Sequence, residues 1–217
     1  MVITVNIACT PTSTVEACLL NPTFGYHEPW FYNHPYALRC ELGQGDEAEA
    51  YLQSAQARAE AIAAILFAGA DGQPDAIFCD IQTRRDGHIR FINDRLRARA
   101  LTARYRRRLV RGLPLHPFLD PEDNLPCTRY LYYRDGDAFD IPALIRSNCF
   151  NRNVAPVSLV SFANECILSV YDDRGCDIVF ATPIALVHFY EALEPYFLDF
   201  DRAEMARRYD ACQKDTP

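Results

Sequence analysis

The sequence predicts an α+β fold with a mixed, largely antiparallel sheet, helices packed on that sheet, and a C-terminal β-hairpin followed by two helices. Two apolar runs rich in β-branched residues, 166–171 and 177–181, flank the polar segment DDRG at 172–175. Short polar residues followed by glycine are typical of a tight turn, in which glycine supplies a positive φ. Helical periodicity at 46–68 and several short strand-like runs elsewhere complete the α+β pattern.

The N-terminal quarter predicts short elements around an aromatic-rich loop. Residues 2–8 alternate apolar and polar side chains, as a strand does, and 15–20 form a short helix stopped by Asn21-Pro22. Residues 24–36 are rich in aromatic residues and proline, which predicts a loop packed over the core, or part of a binding surface. A strand at 37–42 follows and ends at glycines.

The strongest helical signal lies at 46–68. Its apolar residues recur at three- and four-residue steps, and Gly69 ends it. The apolar run 76–81 predicts a strand in the interior of the sheet, and Asn93-Asp94 predicts the cap of a helix at 95–110.

The second half of the chain alternates strands and helices. Residues 113–126 are acidic and rich in proline, which predicts a long loop. Strands are predicted at 128–133 and 157–162, with a helix at 140–149 between them.

Two capping signals define the helices after the hairpin. Thr182-Pro183 combines a good N-cap with a residue suited to the first helical position, which predicts a helix at 184–193. Asp201 and Glu204 form a capping-box-like pair that predicts a last helix at 202–212.

Four segments together resemble a bacterial family of unknown function (domain of unknown function 3885). They are Trp30-Phe31-Tyr32, the RCELG segment at 39–43 in place of the family's RFELG, the YDDRG segment at 171–175, and an LDFDR segment at 198–202. Cys40 stands where that family usually has an aromatic residue. The resemblance spans 29–208 and implies a fold, without an assigned chemistry. It marks as candidate functional residues Arg39, Glu41, Tyr171, Asp172, Asp173, Arg174 and Asp201.

Composition bounds the class of protein. A chain of 217 residues, 49% hydrophobic and 24% charged, predicts one globular domain, with 1–28 as an N-terminal extension and 29–210 as the family-like core. The nine cysteines include no CxxC pair, so we expect free, buried thiols and a cytoplasmic protein. No secretory signal or membrane span is visible, and no motif predicts a cofactor or a metal site.

Positive charge is concentrated in one tract. Residues 84–111 contain eleven arginines and two aspartates, although the formal net charge of the whole chain is −7. The tract predicts a solvated face, an RNA- or phosphate-binding patch, or a face that docks an acidic partner. The acidic balance of the whole chain argues against nucleic acid as the main partner.

Two groups of charged residues invite a chemical interpretation. Asp172 and Asp173 either hydrogen-bond the backbone of the turn or, with Asp177, bind a cation, and Arg174 binds an anion or pairs with Asp201 or Glu41. Arg39 and Glu41 point to the same face of a strand, which predicts a buried ion pair or, alternatively, a catalytic carboxylate at Glu41.

Three functions follow from these patterns. The first is an immunity protein that neutralises a bacterial toxin, because the chain is acidic and lacks common catalytic motifs. The second is an enzyme acting on a small or phosphorylated ligand through Glu41 and residues 172–174, and the third is RNA binding through 84–111. For the first hypothesis, a basic toxin domain is the predicted partner, and the predicted contact residues are Asp120, Glu122, Asp123, Asp135 and Asp137.

Overall fold

The computed structural model describes residues 13–21, 30–69, 71–83, 88–113, 127–150 and 154–215. Seven strands form one sheet in the order β1-β7-β6-β5-β2-β4-β3, and every described pair of neighbouring strands is antiparallel. The predicted α+β class and C-terminal hairpin are therefore confirmed. The strands are β1 (Ala37–Glu41), β2 (Ala76–Gln82), β3 (Arg106–Leu113), β4 (Cys127–Tyr133), β5 (Ser158–Ser161), β6 (Cys166–Val170) and β7 (Gly175–Phe180).

The helices pack on the sheet and on one another. Helix α3 contacts α5, α6 and β6, while α7 contacts α6 and β1. Short 3₁₀ turns at Glu194–Tyr196 and Asp199–Asp201 connect α6 to α7. The helices are α1 (Thr14–Leu20), α2 (Trp30–Asn33), α3 (Ala48–Phe67), α4 (Ile92–Arg104), α5 (Ile141–Phe150), α6 (Pro183–Leu193) and α7 (Arg202–Asp215).

The two faces of the sheet differ in polarity near β1 and β7. Arg39 lies opposite Asp177, and Cys40 lies opposite Cys176. Because side chains alternate along a strand, the ionic pair and the thiol pair point to opposite faces. Helix α2 covers the ionic face, since the Phe31 backbone N–H donates to Asp177 at 3.0 Å.

One predicted helix is wrong in its second half. The helix predicted at 95–110 begins at Ile92 and ends at Arg104, and Arg106–Leu113 forms the edge strand β3 beside β4. The backbone turns extended at Tyr105, with φ −126° and ψ 146°. Helix propensity is a weak signal, and pairing with the tyrosine-rich β4 outweighs it here.

The structure corrects one further prediction and leaves others untested. The aromatic segment predicted as a loop contains α2, whose Trp30 and Phe31 are fully buried. The predicted strand at 2–8 and nearly all of the predicted loop at 113–126 lie outside the described residues. No helix in the described ranges has both the length and the apolar character to cross a membrane. The division into one domain with an extension stays a prediction.

Candidate functional site

A cleft of about 650 Å³ lies where β1 ends beside the turn between β6 and β7. The start of α3 and the segment before α7 supply its other walls, through Tyr51 and Leu198. Five of the residues singled out by their sequence motifs therefore meet in one place together with Tyr51 of α3. The charged and phenolic side chains that line it are Arg39, Glu41, Tyr51, Tyr171, Asp172 and Arg174.

Two glycines make room for the two tyrosines of the cleft. A Cβ on Gly43 would lie 2.0 Å from the end of the Tyr51 ring. A Cβ on Gly175 would lie 2.4 Å from the Tyr171 hydroxyl oxygen and 2.8 Å from the Cys40 carbonyl oxygen. Neither of these motif positions has room for a side chain, and each glycine leaves space for a tyrosine beside the cleft.

The turn between β6 and β7 is held by Asp172. Its carboxylate accepts a hydrogen bond from the Arg174 backbone N–H at 2.8 Å and pairs with the Arg174 guanidinium. The predicted backbone role of Asp172 is confirmed. The expected positive φ at Gly175 is wrong, because that residue is the first of β7 and is absent from the glycines with positive φ.

Arg174 is the most exposed charge of the cleft. Its side chain is 72% exposed, whereas that of its partner Asp172 is 12% exposed. Asp172 therefore takes the place of the partners expected from the sequence, Asp201 and Glu41. The paired residues are only two positions apart in sequence, so the guanidinium folds back over its own turn.

Arg39 is buried and pairs with residues that are remote in sequence. Its guanidinium donates to both oxygens of Asp177, at 2.8 and 3.0 Å, and lies 3.8 Å from Asp201. The rings of Tyr32 and Phe31 lie 4.7 and 5.2 Å from its guanidinium carbon. The predicted ion pair of Arg39 with Glu41 is replaced by these contacts, which join β1, β7 and the start of α7.

The Glu41 carboxylate faces the cleft with its hydrogen-bonding capacity open. Arg58 donates to the Glu41 backbone carbonyl at 3.0 Å, not to the side chain. Among the described residues, no side chain donates a hydrogen bond to this carboxylate. Glu41 is therefore placed to accept a hydrogen bond from a ligand.

The two cleft phenols stay protonated at neutral pH. Burial raises the pKa of Tyr51, and the nearby carboxylates of Asp173, Asp172 and Glu41 raise it further. Burial and then the Asp177 carboxylate raise the pKa of Tyr171. Both groups therefore act as hydrogen-bond donors or as aromatic surfaces, and neither serves as a base.

The pKa values of two thiols near the cleft, Cys176 and Cys149, are raised. The hydrogen bond with Cys40, followed by burial, raises the pKa of Cys176 well above its ordinary value. Burial, together with Asp173 and Asp172, raises the pKa of Cys149 to about 11. Since the thiolate is the nucleophilic form, these cysteines favour a packing role over thiol chemistry.

The remaining candidate residues lie apart from the cleft lining. Asp173 is nearly buried, and Asp201 joins the Arg39 cluster, where it accepts a hydrogen bond from the Tyr32 hydroxyl. Asp135 and Asp137 are exposed after β4, and the other three predicted partner contacts fall in 114–126, outside the described residues. No group of three or more metal-ligating side chains occurs in the described part of the chain.

The described arginines of the tract divide between partly buried and exposed side chains. Arg97 donates to the Ala155 carbonyl at 2.5 Å and to Ser147, and burial lowers its pKa. On the edge strand, Arg106 and Arg107 are exposed and stack over Tyr133 and Tyr130 at 5.1 and 5.6 Å. The aromatic partners come from the neighbouring strand, so the local sequence does not display them. RNA binding by this tract stays a prediction.

Sequence reasoning did not assign Tyr51 or Leu198 to the site. Tyr51 follows the helical period of α3 and so resembles a core residue, while Leu198 sits between two short turns. The one available signal for Tyr51 was Gly43, whose missing side chain leaves room for a nearby group.

A family model described as Domain of unknown function (DUF3885) matches residues 17–201. No curated protein and no solved structure matches the chain.

Proposed function

The chain belongs to the family described as Domain of unknown function (DUF3885), and we propose that it is a cytoplasmic inhibitory protein, an immunity protein that neutralises a bacterial toxin. The observation that supports this proposal is the cleft, which is equipped for binding. Its phenols are held in the protonated form, and its charged groups are largely paired with one another. Neither feature provides an activated nucleophile.

The charge of the molecule also supports a basic partner. The chain carries a formal net charge of −7, and part of that negative charge, the carboxylate of Glu41, belongs to the cleft. Opposite charge on two partners speeds their encounter and suppresses binding to wrong partners. A basic toxin domain is the partner that such a surface favours.

The state of the cysteines supports the proposed compartment. All eight cysteines in the described ranges are free thiols, six of them buried. The bacterial cytosol keeps thiols reduced, whereas secreted proteins use closely placed cysteines in disulfides. The proposed toxin therefore acts inside the cell.

Capture followed by a growth assay tests the proposal. Tagged full-length protein is recovered from its native bacterium, and each stoichiometric partner is identified by mass spectrometry and expressed alone in a test strain. We expect a basic partner that arrests growth and is neutralised by co-expression of the chain. Glu41→Lys should abolish neutralisation, whereas the control Glu191→Lys, an exposed residue of α6, should preserve it.

A second candidate function uses the same cleft. Glu41, Asp172 and Arg174 lie together in a concave site, which favours an enzyme acting on a small or phosphorylated ligand. Turnover of such a ligand by purified protein, lost in Glu41→Gln, would support this second function. Partners that never arrest growth would contradict the immunity function.

A further inference from the structure

We propose that the cleft binds an organic cation, an ammonium or guanidinium group, and that Arg174 occupies this cation site in the free protein as a tethered competitor. The identity of the physiological cation, a basic side chain of the toxin, rests on the proposed function. The chemistry of the cation site is independent of the proposed function. It follows from the rings, the carboxylates and the position of Arg174.

The walls of the cleft offer aromatic surface to a cation. Tyr51 and Tyr171 line it, and the absence of side chains at Gly43 and Gly175 leaves room for these two residues. A cation within about 6 Å of an aromatic ring centre is attracted by the ring's negative face. A contact of this kind is present in the same cleft, where the guanidinium carbon of Arg39 lies 5.9 Å from the centre of the Tyr171 ring.

The charges of the cleft favour a cation over an anion. Asp177 neutralises Arg39, and Asp172 neutralises Arg174, so Glu41 leaves the lining with a surplus negative charge. The raised pKa of Tyr51 reports the same negative environment, since Asp173, Asp172 and Glu41 act on it together. An anion entering here would meet unpaired carboxylate before any unpaired guanidinium.

Arg174 indicates where the cation sits. Its guanidinium holds Asp172 through two hydrogen bonds, from Nε at 2.8 Å and from Nη2 at 2.5 Å, yet its side chain is 72% exposed. The Asp172 carboxylate is only 12% exposed, and a buried charge is costly without a partner, so Arg174 can leave it only when another cation arrives. A ligand cation that takes the place of Arg174 keeps the Asp172 carboxylate paired, while Arg174 swings into solvent.

Titration of the full-length protein with small probes tests this inference. Nα-acetyl-arginine methylamide and Nα-acetyl-lysine methylamide represent basic side chains, putrescine represents a free diamine, and inorganic phosphate and acetate represent anions. Isothermal titration calorimetry and NMR shifts of the cleft residues report binding. We expect cations to bind at the cleft and anions not to bind; tighter binding of the amides than of putrescine indicates a protein side chain as the natural source.

Variants make the competitor role falsifiable. Arg174→Gln should tighten cation binding severalfold, because the tethered rival is gone, and Glu41→Gln should weaken it about tenfold. Arg207→Gln is the matched control, since Arg207 is also exposed and pairs with a carboxylate three residues away. Tyr51→Phe should preserve binding, whereas Tyr51→Leu should weaken it.

Opposite results overturn the inference. Binding of phosphate in preference to the cations, or weaker cation binding in Arg174→Gln, contradicts it. Circular dichroism of each variant ensures that a folded protein is compared. Probe binding in a protein that neutralises no toxin leaves the inference standing and removes the proposed function. If the protein neutralises a toxin, Glu41→Lys leaves neutralisation unchanged and no probe binds, then the proposed function stands and the inference is removed.

Discussion

Gly43 and Gly175 have a steric role that differs from the usual conformational role of glycine in turns. Neither is among the described glycines with positive φ. Each instead borders a tyrosine so closely that a methyl group would overlap it. The glycines of the RCELG and YDDRG segments thus have the same effect, because each one leaves space for an aromatic ring at the edge of one cleft.

Alanine substitution should separate the two glycine positions. Gly175→Ala would press on the rigid Cys40 carbonyl as well as on Tyr171, so we expect a loss of about 1–3 kcal/mol in the free energy of unfolding. Gly43→Ala meets only the far end of the Tyr51 ring, which can swing away, so the loss should be smaller and cation binding should suffer more. Urea denaturation measures the first effect, and calorimetric titration the second.

Gly69→Ala provides the control for both glycine substitutions. Nothing lies within 4 Å of the added methyl group, so stability should be unchanged or slightly higher. If Gly69→Ala costs as much as Gly175→Ala, crowding at the tyrosine is not the cause. Adding Tyr51→Ala to Gly43→Ala should remove the steric part of the Gly43 penalty.

The buried pair of Arg39 and Asp177 should be the most sensitive charged contact near the cleft. Asp177→Asn leaves the Arg39 guanidinium, 9% exposed, with only the more distant Asp201, and we expect a loss of about 3–5 kcal/mol in the free energy of unfolding. Thermal and urea unfolding would show this loss. The exposed control Asp137→Asn should change stability by less than about 0.5 kcal/mol. A small effect of Asp177→Asn would indicate that water solvates Arg39.

At the scale of elements, the acidic side chain of Glu165 binds the first turn of α1. Both oxygens of Glu165, which has φ 50°, accept hydrogen bonds from the first turn of α1, from Thr14 N–H at 3.0 Å and Val15 N–H at 2.8 Å. Leu19, on the same helix, is fully buried. Arg129 also donates to the Leu19 carbonyl at 3.4 Å, so the helix is held by polar contacts at both of its ends.

Glu165→Ala should loosen α1 without unfolding the sheet. Loss of a helix cap costs about 0.5–2 kcal/mol, so amide exchange at Thr14 and Val15 should accelerate while exchange in β6 stays slow. Hydrogen–deuterium exchange with mass spectrometry or NMR measures this. Glu49→Ala, an exposed residue of α3, serves as the control. Equal acceleration in β6 would mean that α1 and the sheet open as one unit.

The elements show what local sequence can predict. The helix at 46–68 and the hairpin of β6 and β7 carry their own periodicity and turn residues, so the sequence locates them well. The boundary at Tyr105 is different, because the run after it becomes a strand only through pairing with β4. The same limit applies to Asp177 as partner of Arg39, since only the sheet brings them together.

The candidate site was likewise predicted in part. Arg39, Glu41, Asp172 and Arg174 were singled out by motif, and they do line one cleft. Tyr51 was missed because a tyrosine on the apolar face of a helix resembles core. Whether any of these residues acts on a partner stays a prediction.

At the scale of the whole molecule, exposed negative charge should govern the rate of association. Reversing Asp135 and Asp137 to lysine should slow association with a basic partner at low ionic strength, and the difference should shrink in 0.5 M salt, at about a 4–5 Å Debye length. Stopped-flow kinetics at two salt concentrations measures this. The pair Glu191→Lys and Asp210→Lys changes the net charge equally at exposed sites elsewhere. Identical rates for both pairs would mean that net charge, not this location, determines the rate.

The order of strands in the sheet has a consequence for how the protein is made. Strand β1, at 37–41, pairs with β7, at 175–180, so an early segment must wait for a late one. At about 5–20 residues per second, the ribosome needs on the order of ten seconds to synthesise the chain between them. Throughout that time Arg39 lacks Asp177, and the cleft lacks half of its wall. The nascent chain therefore acquires its cleft only after β7 has left the ribosome.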